Sequence, residues 1–175
     1  CIPPAKMSVQ KMFKKYGRKE TQNFFQNTIE GSYFTKNIIK EYNIDCDLTG
    51  DSNFEVAPHP SYFESIKEEA ETYKTAFGIE TEVFTKEEFN EIGHGGNEQF
   101  GAMSYKPGFA INPLKFLIGL ANAANQAGVK IFQKSKVTKI EKINGKYKII
   151  SNDHIINANI VVMATNGFYK DDIFP

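Results

Sequence analysis

The sequence predicts an α/β fold of composite α+β character, and three stretches carry that prediction. In the first, Asn112 caps a helix and Pro113 opens it, with Leu114, Leu117, Ile118, Leu120, Ala121 and Ala124 as its apolar face. Gly128 closes that helix and Val129–Phe132 follows as a strand, which is half of a βαβ unit. In the second, Val137–Ile143 alternates apolar and polar residues, Asn144-Gly145 is a strong hairpin turn pair, and Tyr147–Ile150 alternates back. Asn152-Asp153 then turns the chain into His154–Ile156, so an antiparallel meander with one wet face is expected. In the third, Ile160–Met163 reads as a strand buried on both faces of a parallel sheet, and it ends in Ala164-Thr165-Asn166-Gly167. Small side chains at the carboxyl end of a buried strand let backbone come close to a ligand. Asn-Gly is equally a common turn pair, so a plain exit from the strand stays open at this point.

The elements before residue 111 follow from local signals. Ser8 caps a helical segment through Met12, Phe13 and Tyr16 to Gly17, and a second runs from Lys19 to Tyr42. Gly31-Ser32 marks a kink or short break in it, and Asn43 is a good left-handed terminator. The aromatic residues of this segment are read as packing. Ile44–Thr49 and Asn53–Ala57 are short strands, and Ser61 caps a helix from Tyr62 to Phe77 that Gly78 closes. Glu82–Phe84 is a strand. Thr85 and Glu88 form a capping box at the start of a short helix ending near Ile92-Gly93. Phe100–Tyr105 is a strand, and Pro107-Gly108 is a turn pair.

Composition removes several function classes. The 175 residues carry 21 Lys plus Arg and 21 Asp plus Glu, a formal net charge of zero. Nothing in that balance draws the chain to nucleic acid or an anionic membrane. The Lys-rich stretches, 11–19 and 130–148, alternate with apolar residues and read as solvated faces. The two cysteines, Cys1 and Cys46, have no CxxC spacing and no clustered His, so neither a disulfide scaffold nor a metal site is expected. A reducing, cytoplasmic compartment is the default for such a chain. No run of about 18 apolar residues or secretory leader is visible. The chain begins at Cys1 without Met and stops shortly after the apolar run of residues 160–163, which suggests a fragment of a longer polypeptide. Candidate substrate-facing residues are few. His94 lies in a Gly-rich loop, and Tyr105 lies on a strand where it reads equally as a half-buried aromatic. No catalytic residue is assigned.

The order of elements from residue 111 is specific as a set. The matching stretches are "INPLKFLIGLANAANQAGVKIFQKSKVTKIE" and "ANIVVMATNGFYKDDIFP", with "YGRKE" and "EYNIDCDL" in looser agreement upstream. Together they resemble the FAD-dependent oxidoreductases of the D-amino-acid oxidase type, in particular the amine oxidases of the gamma-glutamylputrescine branch. The resemblance implies an incomplete FAD-binding α/β domain with part of an inserted substrate domain. Residues 1–50 would be a helical segment of the FAD-binding domain, 51–110 part of the substrate domain, and 111–175 the return to the FAD-binding domain. It implies that the residue matching Val137 holds the adenine of FAD through backbone N–H and C=O. It also implies that Ala164, Thr165 and Asn166 pass close to the dinucleotide. A Gly often stands in the family where Asn166 stands here. The family's G-x-G-x-x-G loop and its ribose-binding acid would precede residue 1, and its last substrate-domain strands would follow residue 175.

The implied partners are a small-molecule amine or amino acid and the remainder of the same polypeptide. The implied chemistry is oxidation of a C–N bond by hydride transfer to the flavin, with the fragment alone inactive. The alternative from a different class is a self-standing α/β binding or interaction module that never holds flavin.

Overall fold

The computed structural model describes residues 1–3, 6–93, 95–152, 154–166 and 173. These fall into two units, Cys1–Ala127 and Gly128–Pro175. The dividing point puts the helix capped by Asn112 with the first unit, whereas the expected domains grouped it with the meander.

In the first unit, helix α1 (Val9–Glu41) is broken once, at Gly17, whose φ of 81° and ψ of 166° leave the helical region. That is the expected boundary between two helical segments. Gly31-Ser32 does not interrupt the helix. The Ser32 hydroxyl donates to the Thr28 carbonyl at 3.0 Å, so it is satisfied without disturbing the ladder. Asn43 ends the segment with a left-handed φ of 50°. Phe25 stacks on Phe77 with ring centroids 4.0 Å apart, but Tyr33 and Phe34 are exposed, so only part of the aromatic set packs.

Strand β1 (Asn53–Val56) leads into α2 (Pro60–Phe77), which is capped by His59 rather than by Ser61. The His59 ring nitrogen accepts from the Ser61 N–H, and Pro60 takes the first helical position, where its missing N–H costs nothing. Strand β2 (Thr81–Phe84) and α3 (Lys86–Ile92) follow. The Thr85–Glu88 capping box is complete: the Glu88 N–H donates to Thr85 Oγ1 and the Thr85 N–H to a Glu88 carboxylate oxygen. Strand β3 (Ala102–Tyr105) lies between β1 and β2, antiparallel to both. One face of this sheet is sealed by Ile66, Ala70 and Tyr73 of α2, with Met103 and Tyr105 buried against them.

Helix α4 (Pro113–Gln126) starts as expected, with Asn112 Oδ1 accepting from the Leu114 and Lys115 N–H groups at 3.2 Å. Asp47 reinforces this start. It accepts from Asn112 Nδ2 at 3.3 Å and from Lys115 Nζ at 2.6 Å, and the Lys115 ammonium holds its carboxyl below the usual carboxylate range. Gly119 is where α4 meets Ile44: a Cβ there would lie 2.3 Å from Ile44 Cγ2. The expected apolar face is not covered, however. Leu114 and Leu117 are 64% and 62% exposed.

The second unit is the meander of β4 (Val137–Ile143), β5 (Lys146–Ser151) and β6 (His154–Ala158), in that order across the sheet. Asn144 and Gly145 both have positive φ, 50° and 79°, which the two-residue hairpin demands.

Three expected strands do not form. Residues 44–49 contribute only an isolated bridge between Thr49 and Ala110. Val129–Phe132 is irregular, with Phe132 69% exposed. Ile160–Met163 is not a strand buried on two faces: Ile160 and Val162 are 79% and 82% exposed. The cause is common to all three. Composition supplies a segment fit for burial, but a strand exists only beside a strand, and no described segment pairs along them.

Candidate functional site

The three strands of the meander place Ile140, Ile149 and Ile156 in one row, since Ile140 pairs with Ile149 and Ile149 with Ile156. Alternation puts these side chains on the same face, and they form one wall of a cavity of about 630 Å³. Val137 lines the same cavity, as do Ala164 and Thr165 from the stretch after the apolar run. Two segments more than twenty residues apart in sequence, both implied by the family resemblance to face the cofactor, therefore converge on one hollow. Asn166 follows directly, in a left-handed conformation with φ of 52°.

Two backbone features shape the rim. β4 is an edge strand, so alternate N–H and C=O groups on its outer side have no strand partner. One of them, the Ile140 N–H, donates to the Ile173 carbonyl at 2.8 Å. Between Val137 and Lys139 the register against β5 shifts: Val137 pairs with Ser151 and Lys139 with Ile150, so Thr138 is the extra residue of a bulge. Sequence periodicity does not carry that bulge, because a bulge is defined only against a partner strand.

The lining of this cavity combines an apolar wall with a polar edge. A flat heteroaromatic ring is matched by a wall of isoleucines, an edge of backbone polar groups and the small side chains Ala164 and Thr165. Ser151, which pairs with Val137, is buried and its Oγ has no hydrogen-bond partner; it does not line the cavity. The phosphate end has no matching element in this unit. Among its described residues there is no helix, hence no helix N-terminus to receive a pyrophosphate.

The weaker substrate candidates fare differently. Tyr105 is 3% exposed and sits in the core of the first unit. Its ring meets Tyr73 edge-on at 5.9 Å, and its hydroxyl accepts from Asn53 Nδ2 at 2.6 Å. Burial, aided by the Glu55 carboxylate, pushes that hydroxyl up to about 12. These are the surroundings of a packed strand aromatic, a correction to the substrate-facing expectation. His94 lies outside the described residues.

A second hollow of about 580 Å³ lies on the face of the β1-β3-β2 sheet that α2 does not cover. Phe54, Ser104 and Glu82 form one row there, and Lys106 pairs with Glu80 at 2.9 Å. Among the described residues no helix is long and apolar enough to cross a membrane.

Comparison with known proteins shows the family of the chain. The family described as "FAD dependent oxidoreductase" matches residues 10–174. The chain is 24% identical over 163 residues to gamma-glutamylputrescine oxidoreductase of Escherichia coli (strain K12), covering 93% of this chain and 37% of that protein. It is 40% identical over 73 residues to glycerol 3-phosphate dehydrogenase of Caloramator mitchellensis, covering 42% of this chain and 15% of that protein. In three dimensions it resembles glycine oxidase from Geobacillus kaustophilus, with a TM-score of 0.63 at 20% identity, over 76% of this chain and 36% of that one. The chain spans well under half the length of each of these proteins.

Proposed function

Since the chain belongs to the family of FAD-dependent oxidoreductases, we propose that the cavity of the second unit receives the adenosine end of FAD, the family's cofactor, within a longer cytoplasmic flavoenzyme acting on a C–N bond of an amine or amino acid. The observation that carries the proposal is the convergence of Val137, Ala164 and Thr165 on one cavity. In this reading the backbone of Val137 binds the adenine edge, the isoleucine row excludes water from the ring, and Ala164, Thr165 and Asn166 leave room for the dinucleotide. Bound FAD supplies the hydride acceptor for the carbon beside the substrate nitrogen. Residues 1–50 and 111–175 are assigned to the FAD-binding domain and 51–110 to the substrate domain.

The test is a fluorescence titration of FAD with the longer protein, stripped of flavin. Quenching that saturates in the wild type and is lost in Ala164→Leu supports the reading. Absence of quenching at any accessible protein concentration favours a binding module without flavin. A second reading within the family, oxidation of a C–O bond, is favoured by the local 40% identity to a glycerol 3-phosphate dehydrogenase. Flavin reduction in the longer protein by an alkyl amine, against reduction by glycerol 3-phosphate, separates the two.

A further inference from the structure

The face of the β1-β3-β2 sheet turned away from α2 carries the hollow of about 580 Å³, a volume in the range of small-molecule sites. Its lining falls within residues 51–106, inside the segment assigned to the substrate domain. Its charge is one-sided. Asp51, Glu80 and Glu82 bring three carboxylates, and Lys106 is the one basic residue lining it among the described residues. Three carboxylates against one ammonium leave two net negative charges, in a chain whose formal net charge is zero.

The ion pairs identify the carboxylate left over. Lys106 Nζ lies 2.9 Å from a Glu80 oxygen and 3.8 Å from an Asp51 oxygen. The Glu82 carboxylate has no partner among the described residues. Glu82 is also the end of a row. It stands opposite Ser104 of β3, and Ser104 stands opposite Phe54 of β1. The Ser104 hydroxyl is half-buried and likewise has no partner among the described residues. Phe54 is 43% exposed, with its ring resting on those of Phe84 and Phe89 at 5.9 and 5.5 Å. Across neighbouring strands the surface thus offers an aromatic ring, a hydroxyl and a carboxylate, spaced about 4.8 Å apart.

This is not a metal centre. Among the described residues no three His, Cys, Asp or Glu side chains gather to hold an ion. Spread negative charge beside an exposed aromatic ring suits an organic cation instead. We infer that the hollow binds an alkylammonium ion, its N–H groups donating to Glu82 and to Ser104 Oγ and its methylene chain lying across Phe54. A protonated nitrogen has no lone pair to assist loss of hydride from the neighbouring carbon. The nitrogen held here is therefore not one that is oxidised, and a substrate bound this way carries a second nitrogen. That last step rests on the flavoenzyme reading above. The cation site itself uses only residues of the first unit, so the two can fail separately.

The experiment is a titration of the longer protein with n-butylammonium, followed by NMR, with the neutral n-butanol and the anionic butyrate as controls. The flavin absorbance of the same sample is recorded. The expected order of affinity is butylammonium, butanol, butyrate. Glu82→Gln is expected to weaken butylammonium binding about tenfold, the worth of one charge-assisted hydrogen bond, and to leave butanol binding unchanged. Ser104→Ala is expected to weaken butylammonium binding about threefold. Glu87→Gln removes the same charge outside the hollow and is expected to change little. Equal butylammonium affinity in the wild type and Glu82→Gln overturns the inference. Equal weakening by Glu82→Gln and Glu87→Gln also overturns it, because the effect is then one of overall charge. No butylammonium binding by a wild type that carries flavin overturns the cation site and leaves the flavoenzyme reading standing. A protein that takes up no FAD yet binds butylammonium through Glu82 keeps the cation site and overturns the flavoenzyme reading alone.

Discussion

Val137 of β4 stands opposite Ser151 of β5 at the point where the register of the two strands shifts. Val137 therefore lies beside a buried hydroxyl on one side of the pairing while it lines a cavity together with Ala164 and Thr165. A polar-edged ring needs that combination of apolar wall and local hydrogen-bonding groups.

The small side chain at 164 is predicted to matter for binding and little for folding. Ala164 is exposed and belongs to no strand. Ala164→Leu should therefore keep the melting temperature within a degree or so while abolishing saturable binding of AMP or FAD. Equal binding by the variant, measured by fluorescence or NMR, would remove Ala164 from the site.

Gly108 is predicted to tolerate no side chain. A Cβ there would lie 2.5 Å from the Asn53 nitrogen and 2.6 Å from the Ser52 carbonyl carbon, both backbone atoms that cannot swing aside. Gly108→Ala should cost about 1–3 kcal/mol, as overpacking of a fixed contact does. Chemical denaturation of the two proteins reads this directly, and an unchanged midpoint would mean that the loop shifts freely.

Alkaline pH is predicted to unfold the first unit before its core tyrosines ionise. Burial raises Tyr73 and Tyr105 above the ordinary value of 10.0, Tyr105 to about 12. The unfolded chain releases these protons first, so the folded state holds more of them. Stability from these two groups is complete below pH 10.0 and is lost as pH rises through the folded values. Absorbance of tyrosinate should rise in two stages, the second coinciding with loss of helical circular dichroism. A single stage covering all 8 tyrosines near pH 10, with the fold intact, would contradict the burial.

The cap of α4 is predicted to outweigh its ion pair. Asn112→Ala removes a side chain serving two N–H groups and should cost about 1 kcal/mol. Asp47→Ala removes a solvent-exposed partner of Lys115, and the loss should be smaller and diminish further in high salt. Melting curves of both variants at low and high ionic strength check the order.

What the sequence reveals depends on how far apart the deciding residues are. The Asn144-Gly145 hairpin, the Thr85–Glu88 box and the Asn112-Pro113 start are each settled within four residues, and each forms as read. The segments 44–49, 129–132 and 160–163 carry strand composition, but pairing is decided by remote residues that composition does not name. The fate of Tyr105 depends on β3 lying between β1 and β2, a non-local arrangement. Val137, Ala164 and Thr165 were found through family likeness.

The meander's two outer edges are unequal, and this limits how copies of it can associate. β4 has one of its outward N–H groups already taken by the Ile173 carbonyl. Among the described residues β6 pairs only with β5, and Ile155 and Ile156 lie exposed along it. Within the meander, strand addition therefore favours the β6 edge. Two copies meeting β6 to β6 use up both, closing a symmetric pair with no further edge of that kind to extend from. Extension of the meander beyond such a pair would need the β4 edge as well.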